Sequence, residues 1–119
     1  MGYFRFKKKH DFYKRLDESY RIKTKYPDKV PIIVEKQKSS TDIPDIDRSK
    51  YLVPNDITMA EFMYVIRKRL KLDAYQSIYL FVDDTVLVPS CDIMSSVYDR
   101  FKDDDQFLYI KYTGENTFG

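Results

Sequence analysis

Cys91 and His10 are the chain's one thiol and one imidazole. Together they could make a thiolate nucleophile and its base, provided that the fold brings them within hydrogen-bond reach. His10 lies in a helical stretch near the start, and nothing in the sequence links it to Cys91. A structural cysteine, buried or half-exposed, is therefore expected. Neither residue has the spacing of a metal ligand set, with the scattered acids or without them. Asp103-Asp104-Asp105 are consecutive, so their carboxylates point in different directions and suit a solvated turn better than a cation site. Only three glycines are present, two of them near the C-terminus, which leaves no glycine-rich loop to cradle a phosphate. No two carboxylates can be given acid and base roles. The expectation is a protein that is not an enzyme and uses no cofactor and no metal.

Two other features carry chemistry of a different kind. Lys7-Lys8-Lys9 sit beside Tyr3, Phe4 and Phe6, a short basic and aromatic cluster. On a chain of net charge +2 it fits a solvated helix face or a protein-docking surface, and no nucleic-acid partner is expected. Residues 1–38 hold twelve Lys and Arg against five Asp and Glu, whereas residues 83–105 hold seven acids against Arg100 and Lys102. That asymmetry points to one basic end facing a partner or a membrane surface. The last residues, 113–119, form a polar tail ending in Phe118-Gly119 and are expected to pack against nothing. Glycine has no Cβ, so its backbone enters a narrow catalytic cleft where other residues clash. A donor tail and a frayed terminus both fit.

The elements that would position these groups follow from periodicity. Residues 4–26 read as helical, with Phe12, Leu16, Tyr20, Ile22 and Tyr26 as the apolar side, and Pro27 ends the run. Residues 30–35 are a β-branched strand, and Pro31 favours an edge position or the strand's beginning. Residues 37–47 read as a polar turn region and 51–54 as a second strand. Next comes a helix capped by Asn55 or Asp56, with Met59, Phe62, Met63, Val65, Ile66 and Leu70 apolar. Residues 77–82 read as a buried central strand and 86–88 as a short strand. Residues 92–101 read as a short helix and 107–112 as the last strand.

The 119 residues suffice for one packed core, at 43% hydrophobic and 16% aromatic. No apolar run is long enough to cross a bilayer or to make a secretory signal. Phe6 stands where a myristoylation signal wants a hydroxyl. One cysteine excludes an internal disulfide and fits a reducing, cytoplasmic setting.

The element order is helical extension, then β-β-α-β-β-α-β, which is that of ubiquitin. Three runs in that frame carry a closer likeness: Lys25-Tyr26-Pro27-Asp28-Lys29-Val30-Pro31-Ile32-Ile33-Val34-Glu35-Lys36, Asp47-Arg48-Ser49-Lys50-Tyr51-Leu52-Val53-Pro54 and Ile66-Arg67-Lys68-Arg69-Leu70. With the tail Tyr112-Thr113-Gly114-Glu115-Asn116-Thr117-Phe118-Gly119, they resemble the autophagy ubiquitin-like modifiers, the family of GABARAP and microtubule-associated protein light chain 3. The likeness runs from about Phe12 to Gly119. The loop at residues 37–45 and the turn at 84–90 are each about a residue longer than in common members, and residues 2–9 match poorly.

The resemblance implies an α+β, β-grasp (ubiquitin-like) fold. Residues 1–26 would be a helical extension, 27–112 the ubiquitin-like domain and 113–119 a conjugation tail. It implies that E1-like and E2-like enzymes join Gly119 to phosphatidylethanolamine, that a cysteine protease processes and releases it, and that the protein divides between cytoplasm and autophagosome membrane. It also implies binding of cargo receptors through W/F/Y-x-x-L/I/V motifs. The aromatic pocket would be Glu18, Ile22, Pro31, Ile33, Lys50, Leu52 and Phe107. The aliphatic pocket would be Tyr51, Val53, Pro54, Ile57, Phe62, Val65 and Ile66, with Lys29 and Arg69 beside it for acidic residues of the ligand. Ile33 and Val65 are expected to be mostly core. An unconjugated β-grasp adaptor that binds peptides is the alternative.

Overall fold

Among residues 3–83 and 86–114, which the computed structural model describes, the N-terminal stretch is two helices, α1 (Arg5–Lys9) and α2 (Phe12–Lys25). The single helix expected over 4–26 is interrupted because His10 and Asp11 are extended and the Asp11 carboxylate accepts from Lys14 N at 2.9 Å. A carboxylate at that position satisfies an otherwise orphaned amide and starts a new helix.

Strands β1 (Lys29–Lys36), β2 (Lys50–Pro54), β3 (Tyr79–Val82), β4 (Val86–Leu87) and β5 (Leu108–Thr113) form one sheet in the order β2-β1-β5-β3-β4. β1 and β5 run parallel and the remaining pairs antiparallel. On one face, Val30, Ile32, Val34, Leu108, Ile110 and Tyr112 pack with Phe62 and Ile66 of α3 (Met59–Leu70) and with Met94 and Val97 of α4 (Met94–Phe101). On the other, Ile33, Phe107 and Tyr109 pack with Phe4 and Phe6, and Ile22 of α2 lies against them. Helices thus cover both faces of a mixed sheet, the α+β β-grasp architecture that was expected.

Several local expectations change. β5, buried along its whole length, is the central strand, and the apolar run ending in β3 lies one place further out. Pro31 is in an inner strand, not at an edge. Val34 N–H donates to Ser49 O at 2.7 Å, so the alternation of an antiparallel ladder makes Pro31 and Leu52 a non-hydrogen-bonded pair. The proline nitrogen therefore faces the β5 side, where pairing begins only at Ile32 with Leu108. Helix α3 is capped by Thr58, not by Asn55 or Asp56, in a reciprocal pair with Glu61. Residues 37–47 are not simply a polar turn, for Ser40 and Ile43 are buried.

The inward side of α2 is Arg15 and Ser19 with Ile22, while Tyr20 and Tyr26 are exposed. The reason lies across the interface. Asp105, expected in a solvated turn, is fully buried there. Its carboxylate accepts from Arg15 Nη1 at 2.5 Å, from Tyr109 Oη at 2.5 Å and from Phe107 N at 2.9 Å, and its carbonyl accepts from Ser19 Oγ at 2.6 Å. A buried carboxylate demands this company, and it overrides the apolar stripe. Asp103 is paired as well, with Lys7 Nζ at 2.6 Å, so Lys7 is not merely a solvated cation. Burial alone would raise the Asp103 pKa, but hydrogen bonds from Lys7 and the Asp105 amide and the charges of Lys7 and Arg15 hold it below the usual value. α1 is pinned by Glu35, which accepts from Arg5 N and Phe6 N at 2.8 and 3.0 Å.

Arg15→Ala should lower stability by about 3–5 kcal/mol, because it leaves a carboxylate buried without its cation. Urea unfolding measures this, with exposed Tyr20→Ala as the control expected to shift by less than about 0.5 kcal/mol.

Candidate functional site

β2 is an edge strand. Its residues Lys50 and Leu52 face Ile33 and Pro31 in non-hydrogen-bonded pairs, so their amides and carbonyls turn outward, as a template for an added strand. Side chains alternate along it. Lys50 and Leu52 lie on the α2 side, where Lys50 pairs with Glu18 and stands over the Phe6 ring at 5.5 Å. Tyr51 and Val53 lie on the α3 side, against the main core.

The residues of the expected aromatic pocket come together, but not all at the surface. Ile33 and Phe107 are fully buried and Pro31 is buried. Leu52, at 38% exposure, is the apolar member that solvent reaches most readily, with Glu18 and Ile22 half-buried and Lys50 exposed beside it. In the expected aliphatic pocket Phe62 and Ile66 are fully buried and Val53 nearly so. Val65 corrects the expectation that it is mostly core, for it is 41% exposed. With half-buried Ile57 and exposed Pro54 it supplies the apolar surface on that side. Lys29 stands opposite Pro54 in the β1–β2 ladder.

Two cations beside the expected pockets, Arg69 and Lys50, already hold carboxylates of this chain. Arg69 Nε donates to Asp47 Oδ1 at 2.8 Å, and Lys50 is held by Glu18. The hydrogen bond from Arg69 draws the Asp47 pKa down. Both pairs are solvent-accessible, so each is weak and yields to a competing acid. Beneath Arg69 the Tyr51 phenol is pushed up to about 12 by burial, with the Asp47 charge a smaller cause. Its oxygen is buried and has no hydrogen-bond partner among the described residues.

Sequence reasoning missed a hollow of about 710 Å³ that adjoins the start of β2. Arg5, Lys9, Lys36, Lys38, Lys50 and Lys111 line it, against Glu35, Asp45 and Asp47. The lysine run and the 37–45 loop were visible in the sequence, but their meeting depends on α1 docking beside β1. Cys91 corrects its expectation too, being exposed. Gly119, the expected conjugation residue, lies outside the described residues. No group of three or more His, Cys, Asp or Glu among the described residues could hold a metal ion.

The family profile described as autophagy protein Atg8, ubiquitin-like, matches residues 14–119. Autophagy-related protein 8e of Arabidopsis thaliana is 57% identical over 114 residues, covering 96% of this chain and 92% of the relative. Autophagy-related protein 8 of Mycosarcoma maydis is 54% identical over 114 residues, covering 96% and 95%. The crystal structure of Trypanosoma brucei ATG8 superposes with a TM-score of 0.90 at 40% identity, covering 99% of this chain and all of that one.

Tyr51→Phe should leave stability unchanged or raise it by up to about 1 kcal/mol, since it removes a buried hydroxyl that gains no bond in return. The urea midpoint of the two proteins decides the sign.

Proposed function

This chain belongs to the Atg8 family of ubiquitin-like autophagy proteins, and from that premise we propose that it is conjugated through Gly119 to phosphatidylethanolamine and, once on the autophagosome membrane, recruits receptors bearing W/F/Y-x-x-L/I/V motifs. Residues 113–119 act as the conjugation tail of a domain spanning 27–112, with 1–26 as its helical extension. Contrary to the expectation that the whole tail packs against nothing, Thr113 is buried as the last residue of β5. E1-like and E2-like enzymes activate the tail, and a cysteine protease trims and releases it. No helix among the described residues is long and apolar enough to cross a membrane, and a covalent lipid supplies an attachment that needs none.

The observation that carries the receptor reading is the open edge of β2, with apolar surface on both its faces. In a peptide strand, positions one and four point to opposite faces. An aromatic residue at one and an aliphatic at four are both buried only where the receiving strand has a pocket on each side. Leu52 with Glu18 and Ile22 lies on one side, Ile57 and Val65 on the other. The peptide's main chain would bond the outward amides and carbonyls of Lys50 and Leu52. Acids before the motif would displace Glu18 from Lys50 and meet the basic hollow beside it. Two buried anchors contribute roughly 1.5–3 kcal/mol each, which after ordering costs corresponds to micromolar binding.

Leu52→Ala combined with Val65→Ala should weaken binding of a labelled Trp-x-x-Leu peptide by more than about tenfold in fluorescence polarisation. Unchanged affinity in a folded double variant would place the groove elsewhere.

Gly119→Ala should leave folding intact and abolish membrane attachment, because the added methyl obstructs a cleft shaped to backbone alone. Membrane fractionation of cells expressing either form tests this. Equal lipid attachment would show that Gly119 is not the point of conjugation, and no attachment in either form would leave the unconjugated adaptor as the better reading.

A further inference from the structure

Parallel strands end on the same side of a sheet. Lys36, the last residue of β1, is level with Tyr112 of β5, so the loop leaving β1 lies beside the chain leaving β5. Here the contact is built rather than incidental. Gln37 N–H donates to Tyr112 O at 2.8 Å, and Tyr112 Oη donates to Pro44 O at 2.7 Å, which holds the loop by both of its ends. Between them, buried Ser40 meets the first residue after β5: Gly114 N–H donates to Ser40 Oγ at 3.2 Å. Thr113 Oγ1 also donates to Ser40 Oγ, at 3.4 Å, and Ser40 in turn donates to Asp42 Oδ1 at 2.9 Å. One donor and two acceptor sites use the full capacity of a hydroxyl. A Cβ on Gly114 would stand 2.5 Å from Asp42 Oδ2 and 2.8 Å from Asp42 Cγ. Any side chain there displaces the Asp42 carboxylate from Ser40.

We propose that Ser40 and Asp42 are positioning residues for the conjugation tail: they latch its base at Gly114 and so fix the point on the sheet from which the tail starts. This deepens the conjugation reading and rests on it. Five residues reach at most about 18 Å, so the origin of the tail decides which clefts Gly119 can enter. Freeing one further residue multiplies the backbone states to be searched by about fivefold or more, a loss that falls on productive binding and not on the chemical step.

The test pairs amide hydrogen exchange at Gly114 with kinetics of thioester formation by the E1-like enzyme. Wild type is compared with Ser40→Ala, Ser40→Thr and Gly114→Ala. Ser40→Ala and Gly114→Ala should lose protection at residue 114. Their kcat/KM should fall about fivefold, carried by KM, while Trp-x-x-Leu peptide affinity stays at the wild-type value. In Ser40→Ala the urea midpoint also falls modestly, because the buried Gly114 and Thr113 donors lose their acceptor. Ser40→Thr, which keeps the hydroxyl, should restore both readouts. Undiminished protection in Ser40→Ala would show that the latch does not form. Lost protection with unchanged kcat/KM would show that it forms but positions nothing. A wild-type protein that forms no thioester would sink the conjugation reading and this proposal with it, and exchange would still report the contact.

Discussion

The parallel pairing of β1 with β5 is the constraint from which the rest of the molecule follows. It joins strands from opposite ends of the chain at the middle of the sheet, Ile32 beside Leu108 and Lys36 beside Tyr112. With the centre occupied in this way, β2 pairs on the outer side of β1 and is left as an edge. The same pairing brings the chain out of β5 next to the loop that follows β1. The open edge and the tail base, the two places where this protein would meet others, are therefore consequences of one register. Long-range parallel pairing also closes a large loop before any contact rewards it, so it forms only with the core that covers it.

The second helical layer depends on a different kind of contact. Apolar burial holds α3 and α4 to their face, where Phe62, Ile66, Met94 and Val97 meet the inner strands. α2 is held in large part by the Asp105 network, and α1 by Glu35 together with burial of Phe6 against Phe107 and Tyr109, while Lys111 donates to Tyr3 O and stands 4.3 Å from the Phe4 ring. Polar docking of this kind is directional. It fixes the angle and position of α2, which carries Glu18 and Ile22 to the side of β2. An apolar stripe would hold the helix as firmly but with less say over where Glu18 lands.

Both flanks of the β2 edge are self-paired, by Glu18 on Lys50 and by Asp47 on Arg69. Weak, exposed pairs keep the cations oriented without committing them. A peptide of the proposed kind that brought its own acids would exchange one carboxylate for another, so charge would tune affinity modestly while the buried anchors would supply most of it.

Much of this protein was legible in its residues. Val30 to Val34, Phe62 to Leu70 and Leu108 to Tyr112 carry periodicities of two or 3.6 that local sterics impose whatever surrounds them, and they placed the main strands and α3. The Lys50–Pro54 run and the tail pointed to a family and to candidate residues. What remained hidden were contacts between segments far apart in the chain. Arg15 and Ser19 look like solvent-facing helix residues until Asp105 is beneath them. Pro31 looks like an edge residue until the register turns its nitrogen toward unpaired backbone. Val65 belongs to the apolar stripe of α3, yet lies far enough round the helix to face solvent. Ser40 reads as one more loop serine until the parallel strands bring Gly114 to it. Local sequence determines the form of each element because backbone sterics and side-chain periodicity act over a few residues. Which polar groups meet is decided by tertiary structure, since a hydrogen bond needs its partner within about 3 Å and chain distance carries no information about that.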